Sequence, residues 1–249
     1  MSRLSLEIIP VEIGKEIKLG DDIIEIMLLA ESKPQLKNGD ILVFTQKIIS
    51  KQEGQVVNLF DVRPTLLAVG IASEYNKDPR IVQLILDESK RIVRMKNGII
   101  ISETKHGFVC ANAGVDESNV QEDYATLLPV NAELSAQKLR KEIKNKTGIE
   151  AAVIISDTFG RPFREGQTNV AIGFSGIFPI SDYIGTKDSF GRLLRVTAIA
   201  IVDEICSSTE LVMNKSLNIP IAIVRNYNFD EKVGSIKDLL RTKATDLFR

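Results

Sequence analysis

The stretch Ala151-Ala-Val-Ile-Ile-Ser156-Asp157-Thr158 begins as an apolar, β-branched run and then changes to an acid and a hydroxyl. A run that short and apolar reads as a buried strand, and the end of a buried strand is where ligands are delivered. Comparable runs are Asp40-Ile-Leu-Val-Phe-Thr45, Gly98-Ile-Ile-Ile-Ser102, Asn169-Val-Ala-Ile-Gly173 and Pro220-Ile-Ala-Ile-Val224. Helical patterns lie between them at residues 21–31, 65–75, 79–90 (proline in the first turn), 132–146 (stopping near Gly148) and 197–215. A last helix is expected over residues 232–248. Two helices fall back to back before residue 91 and a strand-rich stretch follows, so the alternation is uneven. That order favours an α+β fold of mixed sheets with packed helices over a regular doubly wound sheet. With no repeat, low-complexity tract or clear linker, residues 1–249 read as a single unit, either one domain or two interlocked subdomains.

Composition narrows the function. The chain is 44% hydrophobic and 26% charged, enough apolar material for a sizeable core. Its 32 basic residues nearly cancel 33 acidic ones and no block of either sign stands out, which argues for a small-molecule partner over nucleic acid or a membrane surface. The start, MSRLSLEIIPVEIG, lacks the pattern of a signal peptide, and no apolar stretch approaches the roughly 20 residues of a bilayer span, so a cytoplasmic location is expected. Cys110 and Cys206 stand far apart without a histidine ligand pattern, which speaks against a thiolate metal site. His106 is the sole histidine and reads as a surface or hydrogen-bonded residue.

The common phosphate cradles G-x-x-x-x-G-K-[ST] and G-x-G-x-x-G are absent, as are H-E-x-x-H, G-x-S-x-G and the kinase catalytic loop. Carboxylates are left to carry the chemistry. Asn112-Ala-Gly-Val-Asp116-Glu-Ser-Asn119 puts an acid and an amide in a small-residue loop, where their oxygens could reach a hard cation; an Asx turn or helix cap uses the same residues. Asp157 and Thr158 form the second candidate pair, since magnesium or manganese takes one or two carboxylates and fills its other positions with water and phosphate oxygens. A plain turn at the strand end is the alternative. Arg161 and Arg164 follow with a glycine turn, suited to gripping phosphate or carboxylate or, equally, to pairing with Glu165 at the surface. Lys47 and Lys51, at i and i+4 after a strand, could offset triphosphate charge or be exposed helix lysines. The apolar face of 197–215, with Ile199, Val202, Ile205 and Leu211, reads as core or dimer contact.

GDILVFTQKIISKQEG, NAGVDESN, the step Leu128-Pro129, IISDTFGRPFREGQTNVAIG and the run from Asp188 to Arg192, followed by VDEI and ELVM, together resemble the coenzyme F-420:L-glutamate ligase family. The resemblance runs in order over nearly the whole chain and is most specific where D-T-x-G-R-x-x-R-x-G-Q joins the earlier N-A-G-V-D-x-S-N. It implies an α+β, intertwined homodimer that uses GTP and manganese or magnesium, two ions per site, with potassium as a further candidate. It also implies γ-linked addition of L-glutamate to the deazaflavin precursor F-420-0. By motif match, Asp116, Asp157 and Thr158 are implied metal ligands; Gln46, Lys47, Lys51 and Asn119 are implied guanine-nucleotide contacts. The turn Ile13-Gly14-Lys15-Glu16 matches a nucleotide-contacting turn in position. The stretch Met213-Asn214-Lys215 departs from the family, which has a glycine-rich loop there and an acidic or amide ligand for a second metal near the place of Lys215. An ammonium cannot ligate a cation, so Lys215 is a candidate phosphate contact instead.

The implied chemistry is phosphorylation of a carboxylate followed by displacement of phosphate by the glutamate amine, with Arg161 or Arg164 orienting a substrate carboxylate. Two rivals stay open: a ligase of the same design with another acceptor, and a nucleotide- or deazaflavin-binding protein without turnover.

Overall fold

The computed structural model describes residues 5–30, 35–242 and 244–246. β1 (Glu7–Val11) leads to α1 (Ile23–Leu29), started by Asp22, whose carboxylate accepts from Glu25 N. β2 (Ile41–Thr45) runs directly into α2 (Gln46–Gln52), and β3 (Val56–Asn58) follows. Thr65 caps α3 (Leu66–Tyr75), and Asp78 caps α4 (Pro79–Glu88), with proline opening the first turn. Then come β4 (Ser89–Lys96), β5 (Ile99–Thr104), β6 (Val109–Ala111) and β7 (Tyr124–Thr126). Asn131 starts α5 (Ala132–Thr147), and Gly148 ends it in the left-handed conformation. The rest is β8 (Ala152–Arg161), β9 (Arg164–Ser175), β10 (Ile180–Asp182), β11 (Ala198–Ala200), α6 (Ile201–Met213) and β12 (Ile221–Arg225).

The central sheet has the order β1-β12-β2-β8-β9, in which only β2 and β8 are parallel. It is buried on both sides, and the strand alternation divides the core. Leu42, Phe44, Val153 and Ile155 join Ile23 and Met27 of α1 and Ala136, Leu139 and Ile143 of α5. Ile41, Val43, Ala152 and Ile154 face the other way, with Val202, Ile205 and Cys206 of α6. That two-sided burial is why β2 and β8 read as continuous apolar runs. A separate cluster holds Ala68 and Ile71 of α3, Val82 and Ile85 of α4, and Ile100 of β5. The mixed sheets with packed helices are the α+β arrangement expected. Among the described residues no helix is long and apolar enough to cross a membrane.

Several boundaries differ from the expectation. The 21–31 helix is only α1; Glu31 lies outside the described residues. The 79–90 helix ends at Glu88, because Ser89 is extended and opens β4. In 197–215, residues 198–200 pair with β10 as β11, so Ile199 belongs to a strand, while the helix spans Ile201–Met213. Leu211 is 83% exposed and is therefore no part of this chain's core. Of the 232–248 helix the described residues contain a single short turn, Ile236–Asp238, with Ser235 and Asp238 forming a capping box. Residues 243 and 247–249 lie outside the described residues. Gly234 helps explain the break: a Cβ there would stand 2.4 Å from Pro179 Cδ, so the chain is pressed onto Pro179 before any helix could start.

One buried ion pair ties the end of β12 to the entry of β2. Arg225 Nε donates to Asp40 Oδ1 at 2.8 Å and Nη2 to Oδ2 at 2.7 Å, while Nη2 also donates to Gln35 O. Asp40 is 1% exposed and accepts from Lys37 N as well. Removing one partner of such a pair strands the other charge in the core. Asp40→Ala should cost about 3–5 kcal/mol, read as a lowered urea midpoint with an unchanged slope.

Candidate functional site

β2 and β8 run parallel from Ile41↔Ala152 to Thr45↔Ser156, so Gln46-Lys47 and Asp157-Thr158 emerge at one edge of the sheet. A cavity of about 1120 Å³ opens there. Its walls are the turn 13–17, the start of α2, the loop 110–119, residues 156–160 of β8 and the chain around the end of α6.

Asp116 reaches the cavity through an unusual turn. Asn112, Ala113 and Gly114 have φ of 54°, 53° and 76°, three successive left-handed residues. Ala113 has a Cβ and pays for that conformation with about 1 kcal/mol or more of strain. At Gly114 no side chain fits, since a Cβ would meet Leu128 Cγ at 2.6 Å. After the turn, Asp116 pairs with Thr126 through N–O bonds of 3.0 and 2.8 Å. Its Oδ1 accepts from Ser118 N at 2.7 Å, and its Oδ2 from Ser118 Oγ at 2.9 Å and Lys47 Nζ at 2.8 Å. Burial works against its charge, but Lys47 and Ser118 outweigh it and hold the carboxyl below its usual range.

Asp157 is the opposite case. Burial pushes its carboxyl up to about 6, Asp116 adds repulsion, and the N–H of Thr158, donating at 2.8 Å, only partly offsets this. A buried carboxyl whose ionisation is opposed further by a neighbouring carboxylate is an arrangement a cation relieves. Thr158 lends a hydroxyl beside them, and among the described residues no group of three or more acidic, histidine or cysteine side chains is placed to hold a metal. Such a donor set fits a hard divalent ion that shares its sphere with water and phosphate oxygens. It does not fit an all-protein zinc cage.

The other candidates gather around this pair. Ile13, Gly14, Lys15, Glu16, Gln46, Lys47, Lys51, Asn119, Met213, Asn214 and Lys215 all line the cavity. Lys51 Nζ is held by Glu16 Oε1 at 3.0 Å, and Lys15 by Asp21 at 3.0 Å. Gln46 is buried, with its amide nitrogen donating to Ser50 Oγ and to Leu127 O, so half of that side chain is spent on the fold. Asn214 ends α6 with φ of 50°, which turns Lys215 toward Thr158.

Arg161 and Arg164 are not brought in. β8 does not stop at Asp157 but continues to Arg161, where it turns into β9 through a pairing of Arg161 with Arg164. Four residues of strand carry Arg161 about 13 Å beyond Asp157. Both arginines are exposed, neither lines the cavity, and Arg161 donates to the carbonyls of Glu165 and Gly166. His106 lies 3.2 Å from Val130 O, the hydrogen-bonded role expected of it, and the Cys110 thiol is pushed up to about 12 by burial. Asn169 and Glu210 also line the cavity; the quoted motifs contain both but gave neither a role. A signal existed for Glu210: Asp203, Ser207 and Glu210 recur at helical spacing along α6 and all three bond β9.

The raised Asp157 makes a stability forecast with a definite sign. Its cost to folding is absent below the ordinary carboxyl value of 3.8 and complete above about 6. Without added divalent cation, Asp157→Asn should therefore melt above the native protein at pH 8, and the two curves should converge as the pH falls toward 4, a comparison made by calorimetry.

Residues 13–226 match the family model described as F420-0:Gamma-glutamyl ligase. The Coenzyme F420:L-glutamate ligase of Methanothermobacter thermautotrophicus is 43% identical over 99% of this chain and 100% of its own length. The protein of the same name from Methanocaldococcus jannaschii is 45% identical over 95% of this chain and 96% of its own. That of Archaeoglobus fulgidus is 38% identical over 99% and 97%. With a family-model match over residues 13–226, which include every residue lining the cavity, the chain belongs to the F420-0:gamma-glutamyl ligase family.

Proposed function

We propose that this chain is a GTP-dependent ligase that joins L-glutamate by a γ-linkage to F420-0 through an acyl-phosphate intermediate. The observation that carries the reading is the convergence of Asp116, Asp157 and Thr158 with Lys47 and Lys51 on one cavity, in a member of this ligase family. Manganese or magnesium, when bound, would neutralise phosphate charge and polarise the transferring phosphoryl group. Asp116, Asp157 and Thr158 are the groups to hold it, as two ions or as one, and potassium is an additional candidate. Lys47, already fixed at Asp116, and Lys51, fixed at Glu16, line the wall with positive charge for the triphosphate. The turn Ile13–Glu16, Gln46, Asn119 and Met213–Lys215 frame the space for the nucleoside and phosphates. The substrate carboxylate would take the phosphoryl group, and the amine of glutamate would then displace phosphate. For Arg161 or Arg164 to grip a substrate carboxylate, the acceptor has to extend along the β8–β9 hairpin.

A homodimer and a cytoplasmic location belong to the same reading. Light scattering reads the assembly.

The test is mass spectrometry of purified protein with GTP, manganese, glutamate and F420-0, with each component omitted in turn. Product heavier by glutamyl units should form only in the full mixture. GTP bound without phosphate release under every condition would instead identify a binding protein without turnover. Asp157→Ala should lower product formation by about a hundredfold or more at saturating metal; full activity in that variant would remove Asp157 from the proposed metal site.

A further inference from the structure

Four side chains beyond the carboxylate pair form a closed ring on the cavity wall. Lys215 Nζ donates to Thr158 Oγ1 at 2.5 Å, Thr158 Oγ1 donates to Asn169 Oδ1 at 2.7 Å, and Asn169 Nδ2 donates to Glu210 Oε2 at 2.9 Å. Glu210 Oε2 returns to Lys215 Nζ at 3.6 Å. The direction of every bond is forced from its two ends. An ammonium only donates and a carboxylate only accepts. Glu210 therefore takes the amide nitrogen of Asn169, which turns the amide oxygen toward Thr158. The hydroxyl hydrogen of Thr158 is consumed by that oxygen, and the lone pairs of Oγ1 are left for whatever stands in the cavity.

We propose that Asn169 and Glu210 are positioning residues that commit the Thr158 hydroxyl to accepting, so that this point of the cavity takes a cation and rejects an anion. In the structure the cation is the Lys215 ammonium; in the loaded protein a divalent ion would draw on the same lone pairs. A threonine free to rotate would offer its hydrogen to phosphate as readily as its oxygen to a metal, and the ring removes that ambiguity. The surroundings are built to hold it. Asn169 is 3% exposed, its carbonyl accepts from Ser207 Oγ, and Asp203, one turn earlier on α6, accepts from Ala171 N, the backbone group next to the bulge in β9. α6 is thus fastened to β9 at Ala171 and Asn169, which fixes Glu210 over the Asn169 amide. The inference rests on the proposed reading of Thr158 as a cation ligand.

The test is a double-mutant cycle read by the electron paramagnetic resonance of free Mn2+ during titration of the full chain, with and without GDP. Thr158→Val and Asn169→Ala should each weaken Mn2+ binding about tenfold, the lower end of what ligand-orienting partners supply. In the Thr158→Val background, Asn169→Ala should do nothing more. Asn169→Asp combined with Glu210→Gln keeps an acceptor for the Thr158 hydroxyl and exchanges donor and acceptor between residues 169 and 210, at the expense only of the longer Lys215 contact, and should return Mn2+ affinity to near the native level. Equal losses from Asn169→Ala in both backgrounds would mean that Asn169 only supports the fold, and would overturn the proposal. No loss from Thr158→Val would overturn it together with the ligand role of Thr158, whereas product formation from F420-0 is read separately by the ligation assay.

Discussion

The parallel pairing of β2 with β8 is the constraint on which the site depends. It is the sole parallel contact in an otherwise antiparallel sheet, and it sends two chain segments out at the same edge. One segment continues at once as α2, bringing Lys47 and Lys51; the other continues as strand, bringing Asp157 and Thr158. An antiparallel pairing would have put these groups at opposite ends of the sheet. Apolar burial on both faces holds the register, since a slip of one residue would exchange the set facing α5 for the set facing α6.

With that edge established, the remaining parts supply charge at a cost to stability. Asp157 is kept in surroundings that oppose its ionisation, and Asp116 lies near enough to add to the penalty. The loop that carries Asp116 is itself strained at Ala113. Both costs are set against the large two-sided core and the Asp40–Arg225 pair, which lies at the other end of β2. Lys47 and Lys215 stand where positive charge is needed, one on Asp116 and one on Thr158. An ammonium group of the same chain thus holds Asp116 in place, and a second one caps the hydroxyl beside Asp157.

Much of this was legible in the residues, because the buried strands are apolar on both faces, Asp157 and Thr158 break the apolar run of β8, and Asp116 sits in a short, unusual loop. The starts of the helices at residues 65, 79 and 132 and the stop at Gly148 were equally plain, and the structure sets those starts by the caps Thr65, Asp78 and Asn131. What escaped was set by tertiary pairing. Residues 198–200 become strand only because 180–182 lie alongside, and the polar run of β4 is ordered by its ladder with β5 rather than by propensity. The long β8–β9 arm was missed for the same reason, and with it the distance of Arg161 and Arg164 from the acids. Gln46 lines the cavity, but its commitment to Ser50 and Leu127 depends on a contact 81 residues away. Asn169 faced the same limit: its partners come from β8 and α6, and nothing in its neighbours along the chain announces them.

The most direct measurement is anomalous X-ray scattering from crystals of the protein grown with Mn2+ and GDP. A manganese peak bounded by the carboxylates of Asp116 and Asp157 with Thr158 Oγ1 at its edge is the expected result, with the diphosphate in the same cavity. Manganese bound elsewhere while that cavity holds the nucleotide would contradict the central claim that this pair of acids is the metal site.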